Sequence, residues 1–221
     1  MTSARPYRAA ISARRRAALL TPWLTLGLLA GLWAAAPVAP DTALATVAEL
    51  HAGLLAAAEH REDPFAERYG LLMPLIVTTH DLGYIGQITI RRQWKTLNAQ
   101  QQADFGAAFR RLAVANYVAR FGGLRNASFE IADEEVLPRG RHQVSAVLRP
   151  AGAEPVTLNY VLHQTQEGHW KIINVVANGV SDLALKRAEY QRVLSESDFA
   201  GLLDHLNAQS QRLASPSAEK G

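Results

Sequence analysis

The side chains best suited to chemistry in this chain are seven histidines, His51, His60, His80, His142, His163, His169 and His205. No two of them lie three or four residues apart, so no helix presents a metal-binding pair. His163 and His169 flank one hairpin turn, where solvated turn residues are the better reading than a metal site. His80-Asp81 invites an acid–base pair, but Asp81 reads more readily as a helix N-cap. An enzyme built on this chain would use Asp81 with Tyr84 for proton transfer. There is no cysteine, which removes a thiol nucleophile, Cys-based metal sites and disulfides together. No glycine-rich phosphate loop and no Gly-x-Ser-x-Gly motif is present, and Gly122-Gly123 ends a helix rather than opening one. These residues form no catalytic set, and they imply neither a metal nor a cofactor.

What stands out is an excess of apolar faces, above all in Trp170 to Tyr190. Trp170, Ile172, Ile173, Val175 and Val176 place apolar side chains at both odd and even positions, so this strand must be covered on both faces. Alternation puts Trp170, Ile172 and Val176 on one face and Ile173, Val175 and Ala177 on the other. Asn178-Gly179 is a turn dipeptide. Ser181 caps a helix that starts at Asp182. Val156, Leu158, Tyr160 and Leu162 share a face in the preceding strand. A packed core and a helix–sheet wedge holding an apolar ligand both satisfy this pattern.

Helical spacing comes first along the chain and strands follow. Thr42 to His60 has Leu44, Val47, Leu50, Leu54 and Leu55 at helical intervals. Asp63-Pro64 looks like an N-cap and first-turn proline opening a helix that breaks or kinks at Pro74. One short helix and a loop fill His80 to Gln93. Asn98, with Gln101 at the capping-box position, opens the strongest helix, Ala99 to Phe121. Strands at Phe129–Ile131, His142 to Arg149, Val156 to Gln164 and from Trp170 are joined by short loops and so form an antiparallel meander. Helices over Asp182 to Leu194 and Asp198 to Leu213 close the chain, the second with a Ser195-x-x-Asp198 capping signal. The class is α+β, with helices stacked on one side of the sheet.

The first 18 residues carry five arginines and no acid, and Leu19 to Ala36 is an apolar run without charge. Basic, apolar, then small residues is the layout of an export signal, so residues 1–40 read as a signal peptide. The run is also long enough to remain as an uncleaved inner-membrane tether. The domain then spans 41–213, and 214–221 is a polar, disordered tail. The whole chain is formally +3, but beyond residue 40 there are 18 basic against 20 acidic residues. The positive balance therefore belongs to the targeting segment and gives no argument for nucleic acid.

Trp170-Lys171-Ile172-x-Asn174-Val175, followed by Gly179-Val180-Ser181, resembles the strand-turn-helix signature of the MlaC/toluene-tolerance family of periplasmic lipid-binding proteins. Trp94, Leu97, Gln101 or Gln102, Phe105, Phe109, Leu112 and Tyr117 fall where that family has its Trp, Leu, Gln, Phe, Phe, Leu and Tyr, and Asp81 and Ile85 match the segment before them. Pro64-Phe65 to Tyr69 and Ser181 to Tyr190 are most similar to its hopanoid-biosynthesis-associated branch, HpnM. Asn174 stands where the family usually has Asp, on the strand face read as that of Trp170 and Ile172. Arg91 stands near a family Gly, and His80 where an aromatic residue commonly precedes Asp81.

The resemblance implies a cystatin/NTF2-like α+β fold with a four-stranded antiparallel sheet and helices enclosing an apolar cavity. It implies a phospholipid or hopanoid ligand, and periplasmic shuttling between inner and outer membrane. Its partners would be an inner-membrane lipid ABC transporter or hopanoid transport complex, and an outer-membrane lipoprotein complex. The residues expected to hold lipid are Leu72, Leu75 and Ile76, then Tyr84 and Ile85, then Phe105, Phe109, Leu112 and Tyr117 from the long helix. Leu148, Tyr160, Leu162, Trp170, Ile172 and Val175 come from the sheet. A non-lipid-binding assembly factor and an enzyme using Asp81 and Tyr84 are the competing expectations.

Overall fold

The computed structural model describes residues 41–121 and 124–215; the expected export segment, Gly122-Gly123 and the end of the expected tail lie outside the described residues. Helix α1 (Ala43–Ala58) opens at Thr42, whose hydroxyl accepts from the Ala45 amide at 3.0 Å. It buries Ala43, Val47, Leu50, Leu54 and Ala58 along one stripe. Helix α2 (Phe65–Thr79) follows Pro64. Asp63 does not cap it: its carboxylate pairs with His60 at 2.9 Å and its carbonyl accepts from Arg68. Nor does Pro74 break it. The backbone bond that proline cannot make falls at exposed Gly70, where water can reach the carbonyl. The hydroxyls of Thr78 and Thr79 also donate to the carbonyls of Pro74 and Leu75.

Helix α3 (Leu82–Thr89) is capped by Asp81, and a single further turn, α4 (Arg91–Trp94), occupies the expected loop. Helix α5 (Ala99–Phe121) begins with the reciprocal box foreseen: the Gln101 amide donates to Asn98 Oδ1, and the Asn98 amide to Gln101 Oε1. Helices α6 (Asp182–Glu196) and α7 (Phe199–Ala214) end the described chain. Asp198 itself caps α7 through the Gly201 amide, while Ser195 stays inside α6 with its hydroxyl on the Arg192 carbonyl.

The strands are β1 (Ser128–Leu137), β2 (Arg141–Arg149), β3 (Val156–Gln164), β4 (Trp170–Ala177) and β5 (Val180–Ser181), antiparallel and adjacent in chain order. Among the described residues five strands replace the expected four. Asn178 and Gly179 both have positive φ, 48° and 82°, the signature of a type I′ turn. The chain therefore folds straight back and pairs Val176 with Ser181 and Ala177 with Val180.

A bulge in β4 corrects the assignment of its faces. Val161 pairs with Asn174, but Leu162 pairs with Ile172, leaving Ile173 as the extra residue. One inserted residue reverses the alternation beyond it. Trp170, Ile172, Val175 and Ala177 therefore share the face of Leu158, Tyr160 and Leu162. Asn174 and Val176 turn to the other face with Val161.

The core has two parts. One packs α1, α2 and Val114 and Val118 of α5 on Val144, Ala146, Leu148, Leu158, Tyr160, Leu162 and Ile172. The other joins Ile85, Phe105, Phe109, Leu112, Ile173, Tyr190, Val193, Leu202 and Leu206. Helix α5 serves both, and Val161 packs with the second. The helices thus wrap round the β4 edge instead of keeping to one side of the sheet. That edge is covered by other means as well. The Asp81 amide donates to the Ile172 carbonyl at 3.0 Å, the Thr46 hydroxyl to that of Trp170, and the Trp170 amide to Asp41. Lys171 reaches back to the Val77 and Thr78 carbonyls at the end of α2, where a cation suits the helix dipole.

Candidate functional site

Between the two core clusters lies a cleft of about 200 Å³. Phe109, Ala113 and Tyr117 form one wall from successive turns of α5, and Leu82 and Ile85 of α3 form a second. Ile172, Ile173, Val175 and Ala177 of β4 supply the floor, with Leu158 of β3 beside them. The first turns of α6 close the remaining side through Leu183 and Leu185, and the mouth carries Asn116, Arg120, Asp182 and Lys186. Val180 and Leu185 are 53% and 57% exposed, so apolar side chains continue from the cleft to the surface.

One polar relay crosses this apolar wall. Thr79 donates its hydroxyl to the Leu75 carbonyl at 2.7 Å, so its oxygen must accept from His80 Nδ1 at 2.9 Å. That leaves His80 Nε2 unprotonated, and the Tyr117 hydroxyl donates to it at 2.7 Å. The geometry thus selects one neutral tautomer. Burial holds the His80 pKa down at about 4, only partly countered by the Ile76 backbone and Asp182 and reinforced by Lys171 and Lys186. Burial likewise raises that of Tyr117. Both groups stay neutral, with their ring nitrogens and hydroxyl already engaged. A second pair, His51 Nε2 and the Tyr160 hydroxyl at 3.0 Å, sits deeper in the sheet-side core. Burial lowers the His51 pKa to about 4 as well. Among the described residues no buried side-chain nitrogen or oxygen lacks a partner.

Asn174, expected beside Trp170 and Ile172, is turned by the bulge toward the start of α6. Its Oδ1 accepts from the Ser181 hydroxyl at 3.0 Å and the Leu183 amide at 3.2 Å. It thus fixes the strand–helix corner that closes the cleft. Asn174→Ala is expected to lower the unfolding free energy by about 1 kcal/mol. Asn174→Asp keeps the acceptor, adds favourable charge at a helix N-terminus, and should match or exceed the parent protein in a urea titration.

Asp81 and Tyr84 do not line the cleft. Asp81 Oδ1 accepts from the Tyr84 amide at 2.8 Å, and its Oδ2 meets His163 Nε2 at 2.9 Å. Tyr84 is 39% exposed and lies over the His163 ring. His169 instead pairs with Asp41, so the two turn histidines do not converge. No cluster of metal-binding side chains occurs among the described residues.

Of the residues expected to hold lipid, Ile85, Phe109, Tyr117, Ile172 and Val175 come together on the cleft. Leu72, Ile76, Leu148, Tyr160 and Leu162 are buried in the core under α1 and α2, with Leu75 and Trp170 packed against it. Phe105 and Leu112 are buried between α5, α6 and α7. The cleft also uses Leu82, Ala113, Leu158, Ala177 and Leu183, which the reading of the sequence did not select. Leu158 was detectable, because it shares the face of Tyr160 and Leu162. Ala113 and Ala177 were not, because a small side chain beside a void reads like one beside a close neighbour.

An antiparallel meander wrapped by helices, with an apolar cleft between two core clusters, defines an α+β cleft domain. Residues 45–208 match the family described as MlaC protein, and the chain belongs to that family. Its fold is similar to that of a phospholipid-binding protein from Ralstonia solanacearum, solved in complex with a phospholipid. The TM-score is 0.69 at 20% identity, over 79% of this chain and 98% of that one.

Proposed function

We propose that this protein is a periplasmic lipid carrier that takes up phospholipid, or a hopanoid-type lipid, and moves it between inner and outer membranes. The observation that carries this reading is the cleft: apolar side chains from α3, α5, β4 and α6 converge on one space continuous with exposed Val180 and Leu185. Membership of the MlaC family and the phospholipid held by the similar fold support it. An acyl chain of about 16 carbons loses on the order of 12 kcal/mol of hydrophobic stabilisation in water. A carrier must return most of that without holding the lipid too tightly for release. Transfer in this reading makes and breaks no bond, consistent with the neutral, fully engaged His80–Tyr117 pair on the wall.

The cleft volume is below the ~300–1,000 Å³ usual for ligand pockets. Loading therefore requires α6 and α3 to move apart from α5, with acyl chains replacing contacts across the seam. The basic–apolar segment at 1–40 fits export by a signal peptide, cleaved or kept as an inner-membrane tether. Partners in this reading are an inner-membrane lipid ABC transporter or hopanoid transport complex and an outer-membrane lipoprotein complex. Similarity of Ser181 to Tyr190 to the HpnM branch supports hopanoid as the alternative cargo.

The test is native mass spectrometry of the exported protein, followed by solvent extraction and identification of what it carries. Co-purifying phospholipid or hopanoid supports the carrier. Protein that arrives empty and also fails to take up labelled lipid from vesicles would overturn it.

A further inference from the structure

Beside the apolar cleft, between α5, α6 and α7, lies a second and more polar pocket of about 360 Å³. The two share Asn116, Arg120, Asp182, Leu185 and Lys186 as lining residues, so the polar pocket adjoins the mouth of the apolar one. Three cations face it: Arg120, Lys186 and Arg212. Lys186 is held by Asp182 at 2.5 Å, one turn earlier on α6. Glu189, the other acid of the pocket, is taken up by His205 and Gln209. Arg120 and Arg212, from α5 and α7, have neither an ion pair nor a hydrogen bond among the described residues. Three cations against the carboxylates of Asp182 and Glu189 leave the lining one charge positive, and the two guanidinium groups can each offer a forked pair of donors to phosphate oxygens.

We infer that this pocket is the headgroup site: Arg120 and Arg212 bind the phosphate of a lipid whose acyl chains lie in the adjoining cleft. The inference rests on the carrier reading and adds to it a preference for phosphate-bearing lipids. The charge also explains what sets the depth of loading, since the phosphate stays at the rim while the chains enter between α5 and β4. The same chemistry would bind a soluble phosphate monoester, so the source of the phosphate has to be distinguished.

The experiment compares wild type with Arg120→Gln/Arg212→Gln for uptake of dioleoylphosphatidylglycerol and of dioleoylglycerol, which has the same chains and no phosphate. Both side chains are exposed, so the thermal midpoint should hold. The variant is expected to take up about ten-fold less phosphatidylglycerol, since charge-assisted bonds are lost, and at most about two-fold less diacylglycerol, which gives the guanidinium groups no phosphate to bind. Arg120→Lys/Arg212→Lys should recover part of the loss. Equal uptake of phosphatidylglycerol by variant and wild type, or an equal fall for both lipids, overturns the headgroup site and leaves the carrier reading intact. Uptake of neither lipid by wild type overturns the headgroup site, and the carrier reading as well where no hopanoid co-purifies. Saturable binding of sn-glycerol 3-phosphate by wild type, abolished in the variant without any change in lipid uptake, assigns the pocket to a soluble phosphate and also overturns it.

Discussion

Val175→Trp is expected to yield a folded protein that carries roughly ten-fold less lipid than wild type. Val175 is half-buried on the β4 floor of the cleft and pairs with Tyr160 across the sheet. An indole at this position has free space on one side only, the space assigned to acyl chains. Overfilling a close-packed site costs about 1–3 kcal/mol, and a half-buried position lies at the lower end. The thermal midpoint should therefore fall by only a few degrees while lipid per protein, measured by native mass spectrometry, falls sharply. Val175→Ala makes the opposite change and should keep or raise uptake. If Val175→Trp loads lipid as well as wild type, acyl chains do not occupy this cleft, whatever else the domain binds.

Acid is expected to destabilise the domain well before its carboxylates are protonated. His80 takes a proton only near pH 4 in the folded protein, whereas the unfolded chain takes it near 6.5. Between these values the unfolded state holds more protons, so stability falls as pH falls. The loss starts near pH 6.5 and is complete below pH 4, amounting to about 3 kcal/mol for His80. His51, depressed by burial to about 4, adds a loss of the same sign over the same range. Urea titrations at pH 7, 5.5 and 4.5 measure it. His80→Gln retains a donor toward Thr79 and an acceptor for Tyr117 but does not titrate, so its stability should vary less over that range. A variant that falls as steeply as wild type would remove His80 from the account.

The local signals were the legible part of this fold. Asn98 with Gln101, Asn178-Gly179, and Ser181 before Asp182 each act within four residues, and each does in the structure what its chemistry suggests. Pro74 and Asp63 misled because the same signals can be overridden. Exposed Gly70 leaves the lost backbone bond to water, and the Asp63 carboxylate found His60. The cleft was less legible. Its polar relay joins His80 to Tyr117 across 37 residues, and Lys171 reaches α2 across more than 90. Neither partnership leaves a periodic trace. Val175 was selected although assigned to the wrong face, because alternation cannot reveal an inserted residue.

That inserted residue also affects how related chains should be aligned. With Ile173 in place, the two halves of β4 are read in opposite phase, Trp170 and Ile172 in one and Val175 and Ala177 in the other. Deleting Ile173 would restore regular alternation while exchanging the exposures of everything after it: Asn174 would swing inward and Val175 outward. A relative without the extra residue should therefore show a matching change of polarity downstream, or a compensating insertion before the Asn178 turn. A gap at this column is a statement about which side chains face the cleft, and pairwise similarity around Asn174 should be judged only after that phase is settled.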